Sequence, residues 1–250
     1  MTMILSKPFD SYKVDSLSKR WAAVLLLLFA WGVSFWFLQS PPGDPDFSQF
    51  YYWGEEMSQS SETMMDFLKS HPIENVISKQ NLIYVGAAMG YIAVMHLIGL
   101  FYFTMYVCDL REVPLAKAPK IYFTRIWWLI LYSATLLIPG LIVIGLFPFI
   151  FLFAIPAFYI RSGIVLFEKK DIYSASVASF SKTRGHKFSI FVELAGILLL
   201  YSIIHFIVEM LLASGSPGLN LVEAFLRAYF VLAVFRNMGT RFHMITVLNK

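Results

Sequence analysis

The chain has 250 residues, of which 58% are hydrophobic and only 14% are charged, whereas an average soluble protein carries about 25% charged residues. A soluble domain of this length has too little interior to bury that much apolar surface, so the composition excludes an ordinary soluble fold. The net charge of +4 is small and is concentrated in particular segments, which indicates membrane orientation and no nucleic-acid partner. The sequence therefore predicts an all-α integral membrane protein.

Four apolar runs come close to the length of about 20 residues that a helix needs to cross a bilayer. The first, 21–38, follows Lys19 and Arg20 and lacks the cleavage site of a signal peptide, so we expect it to remain as an anchor. The others are 82–107, 188–212 and a run that begins near residue 219 and extends to 235 or as far as 248.

The run 126–160 holds 35 residues without a charge, which is too long for one crossing and barely enough for two. Basic residues dominate 1–20, 109–125, 161–187 and the C-terminal tail, whereas seven acids face two lysines in 39–80. The positive-inside rule then places 39–80 outside and the basic segments in the cytoplasm.

Both flanks of the uncharged run are then cytoplasmic, which requires an even number of crossings. We therefore predict a tight hairpin of two helices, with its turn at Pro139-Gly140 or within 145–148. A re-entrant hairpin is the alternative, because neither leg spans the bilayer untilted. The predicted fold is one membrane domain over 1–250, a bundle of six transmembrane helices with both termini in the cytoplasm.

The predicted outer loop, 39–80, is acidic and rich in aromatic residues. We expect it to contain one or two short amphipathic helices that lie at the outer membrane interface. Such helices cap the bundle, dock a partner or cover a ligand. The candidate partner surface includes Phe50, Tyr51 and Trp53.

The basic segment 161–187 carries six Lys and Arg residues against two acids. It predicts an amphipathic helix over 172–187 that lies along the cytoplasmic membrane surface. Lys182, Arg184 and Lys187 are candidate contacts to anionic lipid headgroups, each with about 1 kcal/mol of attraction. The alternative is that these charges only enforce the orientation of the chain.

Ionisable residues at membrane depth are costly and are therefore functional candidates. His205 and Glu209 share one helix face because they are four residues apart. Arg227 on the last helix lies at a depth similar to that of Glu209, so we expect the two to pair. With His96 of the second membrane helix, these residues form a candidate proton or polar-substrate path. The same histidines and Glu209 would hold a metal ion only if the two helices touch there, and we expect no metal or cofactor.

A second candidate pair lies near the predicted inner end of the same two helices. Glu193 is within reach of Arg236 or Arg241. Ion pairs of this kind hold helices in register, which is the structural alternative to the path.

Gly86 and Gly90 form a GxxxG pattern, which permits close approach to another helix and makes them candidates for a partner surface or self-association. The single cysteine, Cys108, is expected to be a packing residue. The zinc-protease, serine-hydrolase and nucleotide-binding signatures are missing, so we expect no catalytic residue and no enzymatic activity.

Three motifs in the C-terminal half occur in a familiar order: LIPGLI at 137–142, IVLFEKKD at 164–171 and ASVASFSKTRGHKF at 175–188. Over residues 125–245 the chain resembles the membrane domain associated with bacterial glycerophosphoryl diester phosphodiesterases and its stand-alone inner-membrane relatives. The resemblance implies a helical hairpin, an amphipathic helix and two closing helices. It carries over no catalytic residue, because the family's chemistry belongs to a separate soluble domain.

These patterns favour a non-enzymatic scaffold or accessory subunit of a complex in the bacterial inner membrane, in contact with lipids and a membrane-protein partner. The alternative is a small transporter or lipid-handling protein with a polar path around His96, His205, Glu209 and Arg227.

Overall fold

A computed structural model describes residues 11, 13, 14, 17, 20–131, 154–212 and 216–248. Within these ranges the chain forms helices and turns, without a strand. The α-helices are α1 (Arg20–Gln39), α2 (Ser48–Gln59), α3 (Met64–Ser70), α4 (Lys79–Leu110), α5 (Ala118–Thr124), α6 (Arg161–Phe167), α7 (Ile172–Lys182), α8 (Lys187–Leu211) and α9 (Pro217–His243). Short 3₁₀ turns occupy Ile73–Asn75 and Leu115–Lys117, and a π-helical turn, Met244–Leu248, extends α9.

In the described part of the chain, four helices are long and apolar enough to cross a membrane: Arg20–Gln39, Lys79–Leu110, Lys187–Leu211 and Pro217–Leu248. These are the four separate runs predicted from the sequence, extended by one to a few residues at most ends. A shorter apolar helix covers Ala154–Phe167. The predicted hairpin turn, at 139–140 or 145–148, lies outside the described residues, and so do the legs on either side of it from 132 to 153.

The chain divides into two compact units. Unit 1 contains Met1–Phe35 and Val94–Lys250, and unit 2 contains Trp36–Ala93. Unit 2 is therefore the predicted outer loop together with the adjoining ends of α1 and α4.

Unit 2 is held together by the side chain of Asn81, in the first turn of α4. Its amide nitrogen donates to the carbonyl oxygens of Asp44 and Asp46, at 3.0 and 2.7 Å. Its amide oxygen accepts from the backbone and the hydroxyl of Ser78. A buried amide that uses this many hydrogen bonds fixes the loop before α2 against the start of α4. Gly43, with φ of +82°, lies in the same loop and allows its backbone to approach the backbone of α4 closely.

The two short helices of the predicted loop are present as α2 and α3, and they pack through aromatic rings. The indole nitrogen of Trp53 donates to the carbonyl of His71 at 2.9 Å, and its ring lies 5.6 Å from that of Phe67. Trp53 is only 8% exposed. It is therefore a core residue of unit 2, and its assignment to a partner surface is corrected, whereas Tyr51 is 71% exposed and Phe50 is 36% exposed.

In unit 1 the core lies where α4, α6 and α9 approach each other. A Cβ built on Gly163 would meet the ring of Phe242 at 2.6 Å, and one on Gly99 would overlap the ring of Phe235. Phe103 lies 5.9 Å from Phe242, ring centre to ring centre. The glycines thus give large aromatic side chains of α9 a place to insert, which is how membrane helices pack closely.

α7 begins at an N-cap in which Asp171 accepts from the backbone of Ser174. One face of α7 is buried, and the hydroxyl of Ser179 donates to the carbonyl of Ala157 at 3.0 Å. The helix ends at Lys182 and α8 begins at Lys187, with Gly185 in the left-handed region at φ of +87°. The continuous helix predicted over 172–187 is thus wrong in its last turn, because this backbone conformation ends a helix.

Candidate functional site

The inner pair of α8 and α9 is a buried ion pair between Glu193 and Arg241, which are 2% and 3% exposed. The guanidinium of Arg241 binds both carboxylate oxygens, with Nε 2.7 Å from Oε2 and Nη2 on Oε1. The same Nη2 also donates to the hydroxyl of Ser189. This two-pronged geometry is the strongest form of a carboxylate–guanidinium contact. The sequence left Arg236 and Arg241 as alternatives for Glu193, and the structure pairs Glu193 with Arg241.

An amide and a phenol extend this pair into a network. The amide nitrogen of Asn237 donates to Oε2 of Glu193 at 3.0 Å and lies 3.3 Å from the hydroxyl of Ser11. The hydroxyl of Tyr159 donates to the amide oxygen of Asn237 at 2.9 Å. Four parts of unit 1 therefore meet at one buried polar centre, which we call the inner cluster: Glu193, Arg241, Asn237, Tyr159, Ser189 and Ser11.

A second group, the outer cluster, lies farther along α8 and α9 and consists of His205, Glu209, Glu223 and Arg227. The two ring nitrogens of His205 lie 3.5 Å from Glu209 and 3.4 Å from Glu223. Arg227 pairs with Glu223, one turn away on α9. The sequence predicted that Arg227 pairs with Glu209 of α8, and the structure corrects this pairing. Glu223 is four residues from Arg227 on α9, so Arg227 reaches it without spanning the space between two helices.

His96 was predicted to join the outer cluster, but its ring packs edge-on against Phe235, with ring centres 5.1 Å apart. Phe235 lies eight residues beyond Arg227 on α9, which is about 12 Å of helix. His96 therefore lies beside an aromatic ring, at a different position along α9 from the outer cluster. The path that would have linked it to His205 is not formed by these contacts.

Apolar side chains occupy the helix surfaces between the two clusters. Ile197 and Leu232 are fully buried between them, and the rings of Tyr201 and Phe230 lie 4.6 Å apart. Glu193 and His205 are twelve residues apart, or about 18 Å along α8. The outer cluster is thus separate from the inner cluster. The described residues hold no group of three or more His, Cys, Asp or Glu residues suited to a metal ion.

A cavity of about 360 Å³ adjoins the inner cluster. Arg236 lines it and stacks over the ring of Tyr106, with the guanidinium carbon 4.5 Å from the ring centre. The hydroxyls of Tyr106 and Thr240 lie 3.2 Å apart. The other lining residues are Ser11, Lys13, Glu193, Asn237, Arg241 and Met244.

The predicted headgroup contacts lie on and after α7. Lys182 binds Glu168 at 2.6 Å, and Lys170 lies 3.4 Å from the same carboxylate. Burial alone would raise the pKa of Glu168, but its bonds to the two lysines outweigh burial and hold the pKa below its usual value. The Nζ of Lys187 lies 3.6 Å above the ring centre of Phe180, and Arg184 is exposed.

Some functional-looking residues were missed by the sequence patterns. Arg111 and Arg161 were counted as loop charges, but Arg161 is buried and donates to Ser176. The guanidinium carbon of Arg111 lies over two aromatic rings, 5.1 Å from the centre of Phe167 and 4.7 Å from that of Phe242. Burial, opposed by the charge of Glu168, lowers its pKa. A search for uncharged polar residues in apolar runs would have found Asn237.

The predicted partner residues on α4 present an open surface within unit 2. A Cβ built on Gly86 or on Gly90 meets no other atom within 4 Å, and both glycines are exposed. Residues i and i+4 lie on the same face of a helix. This face is therefore not occupied by the side chains that the structure describes.

No protein-family model, curated protein sequence or solved structure matches this chain. The function proposed below therefore rests on the chemistry of the two clusters and of the open helix face.

Proposed function

We propose that the protein is a non-enzymatic membrane scaffold or accessory subunit. The observation that carries this proposal is the pairing of the ionisable residues of α8 and α9 in two separate clusters. Paired charges at two positions along α8 and α9 fix the register of these two helices. The helix surfaces between the two clusters are apolar. A rigid helix pair suits a platform for other proteins better than it suits a moving transport path.

The open face of α4 supports the same function. In lipid, helices associate by close packing of small residues, because lipid tails are as apolar as the side chains they would replace. Gly86 and Gly90 offer such a surface, and Tyr51 and Phe50 add exposed rings on α2. We propose that these residues contact a membrane-protein partner or a second copy of the chain.

The exposed face of α7 supports contact with lipids. Tyr173, Val177 and Phe180 are exposed at spacings of four and three residues, so they lie on one face opposite the buried Ala175 and Ser179. Apolar side chains flanked by Lys182 and Lys187 are typical of a helix that lies in the membrane interface.

We propose the following topology for this function: six crossings, both termini in the cytoplasm and the 39–80 segment outside, in a bacterial inner membrane. The resemblance to the phosphodiesterase-associated membrane domain belongs to the same proposal. Labelling of single introduced cysteines in 165–185 tests the orientation. Labelling from the outer side would contradict it.

The scaffold function is tested by association in mild detergent. Wild-type protein with two different tags is expected to co-purify with itself or with a defined partner at a fixed ratio. Gly86→Leu with Gly90→Leu is expected to abolish that association, because the larger side chains prevent close approach. Gly32→Leu is the matched control, since a Cβ at this exposed glycine of α1 also meets no atom within 4 Å. Monomeric wild-type protein without a stoichiometric partner would contradict the proposal.

One observation favours the transporter as a second candidate function. His205 lies between two carboxylates, at 3.5 and 3.4 Å, and such groups carry protons in transporters. Proton flux into liposomes containing the protein tests this candidate. His205→Ala is expected to abolish flux and leave assembly intact, whereas wild-type liposomes no more permeable than empty ones would exclude it.

A further inference from the structure

We infer that a groove between α1 and α4 is a binding site for one acyl chain of an anionic phospholipid, whose headgroup lies beside Lys117 and Lys120. The inference goes beyond the scaffold function, since none of the residues proposed for contact with a partner lines this groove. It rests on the lining, the direction and the charged end of the groove, and on the crossing of a membrane by both helices.

The lining of the groove is apolar throughout. Its volume is about 460 Å³, and all ten residues that line it have apolar or aromatic side chains. Trp21, Leu25 and Phe29 line it from α1 and are exposed, and Phe101 and Met105 line it from α4. Residues four apart lie on one face of a helix, so two apolar stripes border the same space. Such a surface favours hydrocarbon over a polar ligand.

The direction of the groove matches that of a lipid chain. Trp21 and Phe29 are eight residues apart, which is about 12 Å along α1. Both α1 and α4 are long and apolar enough to cross a membrane, and membrane helices tilt by only about 20° from the bilayer normal. A second helix about 10 Å across would occupy about 900 Å³ over this length, so only part of it fits, whereas an acyl chain is thin enough to lie within the groove.

The turn after α4 completes the lining, through three residues between 115 and 119. This turn is held against α4 by the helix that follows it. The hydroxyl of Tyr122 on α5 donates to the carbonyl of Leu97 at 2.9 Å, and the ring of Tyr122 lies 5.1 Å from that of Phe101. The groove is therefore formed by the protein itself, as ligand sites usually are.

Positive charge lies beside this turn. Lys117 and Lys120 are exposed, and each directly follows a residue that lines the groove. The segment 109–125 carries four basic residues against two acids, and basic residues at a membrane surface attract anionic headgroups. Trp21, in the first turn of α1, is of the type that gathers at the water–lipid boundary. The groove thus joins a charged end at the boundary to apolar walls along the helices, which matches the two parts of a phospholipid.

The test uses the full-length protein in nanodiscs that contain a phospholipid with a photoreactive diazirine near the end of one acyl chain. In one arm this lipid is phosphatidylglycerol, which is anionic, and in the other it is phosphatidylcholine, which has no net charge. The labelled residues are identified by mass spectrometry of peptides. Phe206 and Met210, which are exposed on α8, report contact with bulk lipid. We expect phosphatidylglycerol to label the groove residues more strongly than it labels α8.

Ala22→Phe places a larger side chain in the groove without changing a charge. We expect it to reduce labelling of the groove to the level seen on α8. Val24→Phe is the matched control, because Val24 is exposed on α1 and does not line the groove. If Ala22→Phe does not fold, Ala116→Phe decides, because Ala116 lines the groove from an exposed position in the turn.

Lys117→Gln and Lys120→Gln test the contact with the headgroup. A basic residue near the membrane surface contributes a factor of about five in affinity for anionic lipid. We expect each variant to weaken labelling by phosphatidylglycerol about fivefold and to leave labelling by phosphatidylcholine unchanged. Lys79→Gln is the control, because Lys79 is exposed at the opposite end of α4.

Labelling of the groove that prefers phosphatidylglycerol and is lost in Ala22→Phe supports the site. Equal labelling by the two lipids, with both lysine variants like the wild type, shows contact with bulk lipid only and overturns the inference. Groove residues that take up no label from either lipid show that another segment of the chain or a second copy covers them, which also overturns it. The same conclusion follows if Val24→Phe loses the label as completely as Ala22→Phe.

Discussion

Replacing Glu193 by alanine is expected to be among the most destabilising single changes in α8. Glu193 accepts hydrogen bonds from both Arg241 and Asn237. Its removal takes away the carboxylate that neutralises the buried guanidinium of Arg241. Of the contacts named above, the guanidinium then keeps the hydrogen bond to the hydroxyl of Ser189. Breaking a buried ion pair by removing one partner costs about 3–5 kcal/mol.

A graded series separates charge from hydrogen bonding at this position. Glu193→Gln keeps the shape and one acceptor, so we expect it to cost about 1.5–3 kcal/mol, the contribution of a hydrogen bond to a charged group. The double variant Glu193→Leu with Arg241→Met removes both charges, and we expect it to be far less damaging than Glu193→Ala. Glu55→Gln is the control, because Glu55 is exposed on α2 and belongs to neither cluster.

The assay is reversible unfolding in mixed micelles with increasing sodium dodecyl sulfate, followed by tryptophan fluorescence and circular dichroism. Neutral hydrogen bonds between membrane helices contribute only about 0.6 kcal/mol on average, so an ion pair should stand clearly above that value. A cost below about 1 kcal/mol for Glu193→Ala, or a double variant as unstable as the single one, would refute the role assigned to the inner cluster.

Three further changes test other parts of the structure. Gly163→Ala forces a Cβ against the ring of Phe242 at 2.6 Å and is expected to cost about 1–3 kcal/mol in the same assay, whereas unchanged stability would contradict the close packing of α6 and α9. Asn81→Ala removes the hydrogen bonds that hold the loop before α2, so limited proteolysis of residues 40–47 should become several-fold faster. The pKa of Glu168 is lowered in the folded protein, so its ion pairs stabilise the fold above about pH 4, its ordinary range, and this contribution is lost as the pH falls through the lowered pKa. Glu168→Gln is expected to lower the thermal midpoint at pH 7 and to reduce its dependence on pH below 5, and equal dependence in both proteins would contradict this assignment.

The positions of the membrane-length helices were predictable because they depend on local composition. A run of about 20 apolar residues has one low-energy state in a bilayer, a helix whose backbone groups bond to each other. The bounds of α1, α4, α8 and α9 therefore follow from the sequence. The end of α7 did not follow from the sequence. It depends on the left-handed backbone conformation of Gly185, which is set by the direction in which α8 leaves the turn.

Which polar residues meet was only partly predictable. The i and i+4 relation of His205 and Glu209 follows from helix geometry, and their contact is observed. Contacts between helices depend on rotation and depth, which no single helix determines. This is why the predicted pair of Arg227 with Glu209 was wrong and why His96 lies against Phe235. The observed pair of Arg227 with Glu223 lies within α9 and follows from the same i and i+4 relation.

The sequence alone determined that the described part of the chain is helical and carries helices of membrane length, since a helix satisfies the hydrogen bonds of its own backbone and a run of apolar side chains suits a lipid environment. Only the tertiary structure decided that Trp53 is buried and that Asn237 and Tyr159 join Glu193 and Arg241. The tertiary structure also decided that Arg236 and Lys13 line one cavity. Those arrangements depend on the packing of residues far apart in the chain, where the free energy of each contact is set by its neighbours in space.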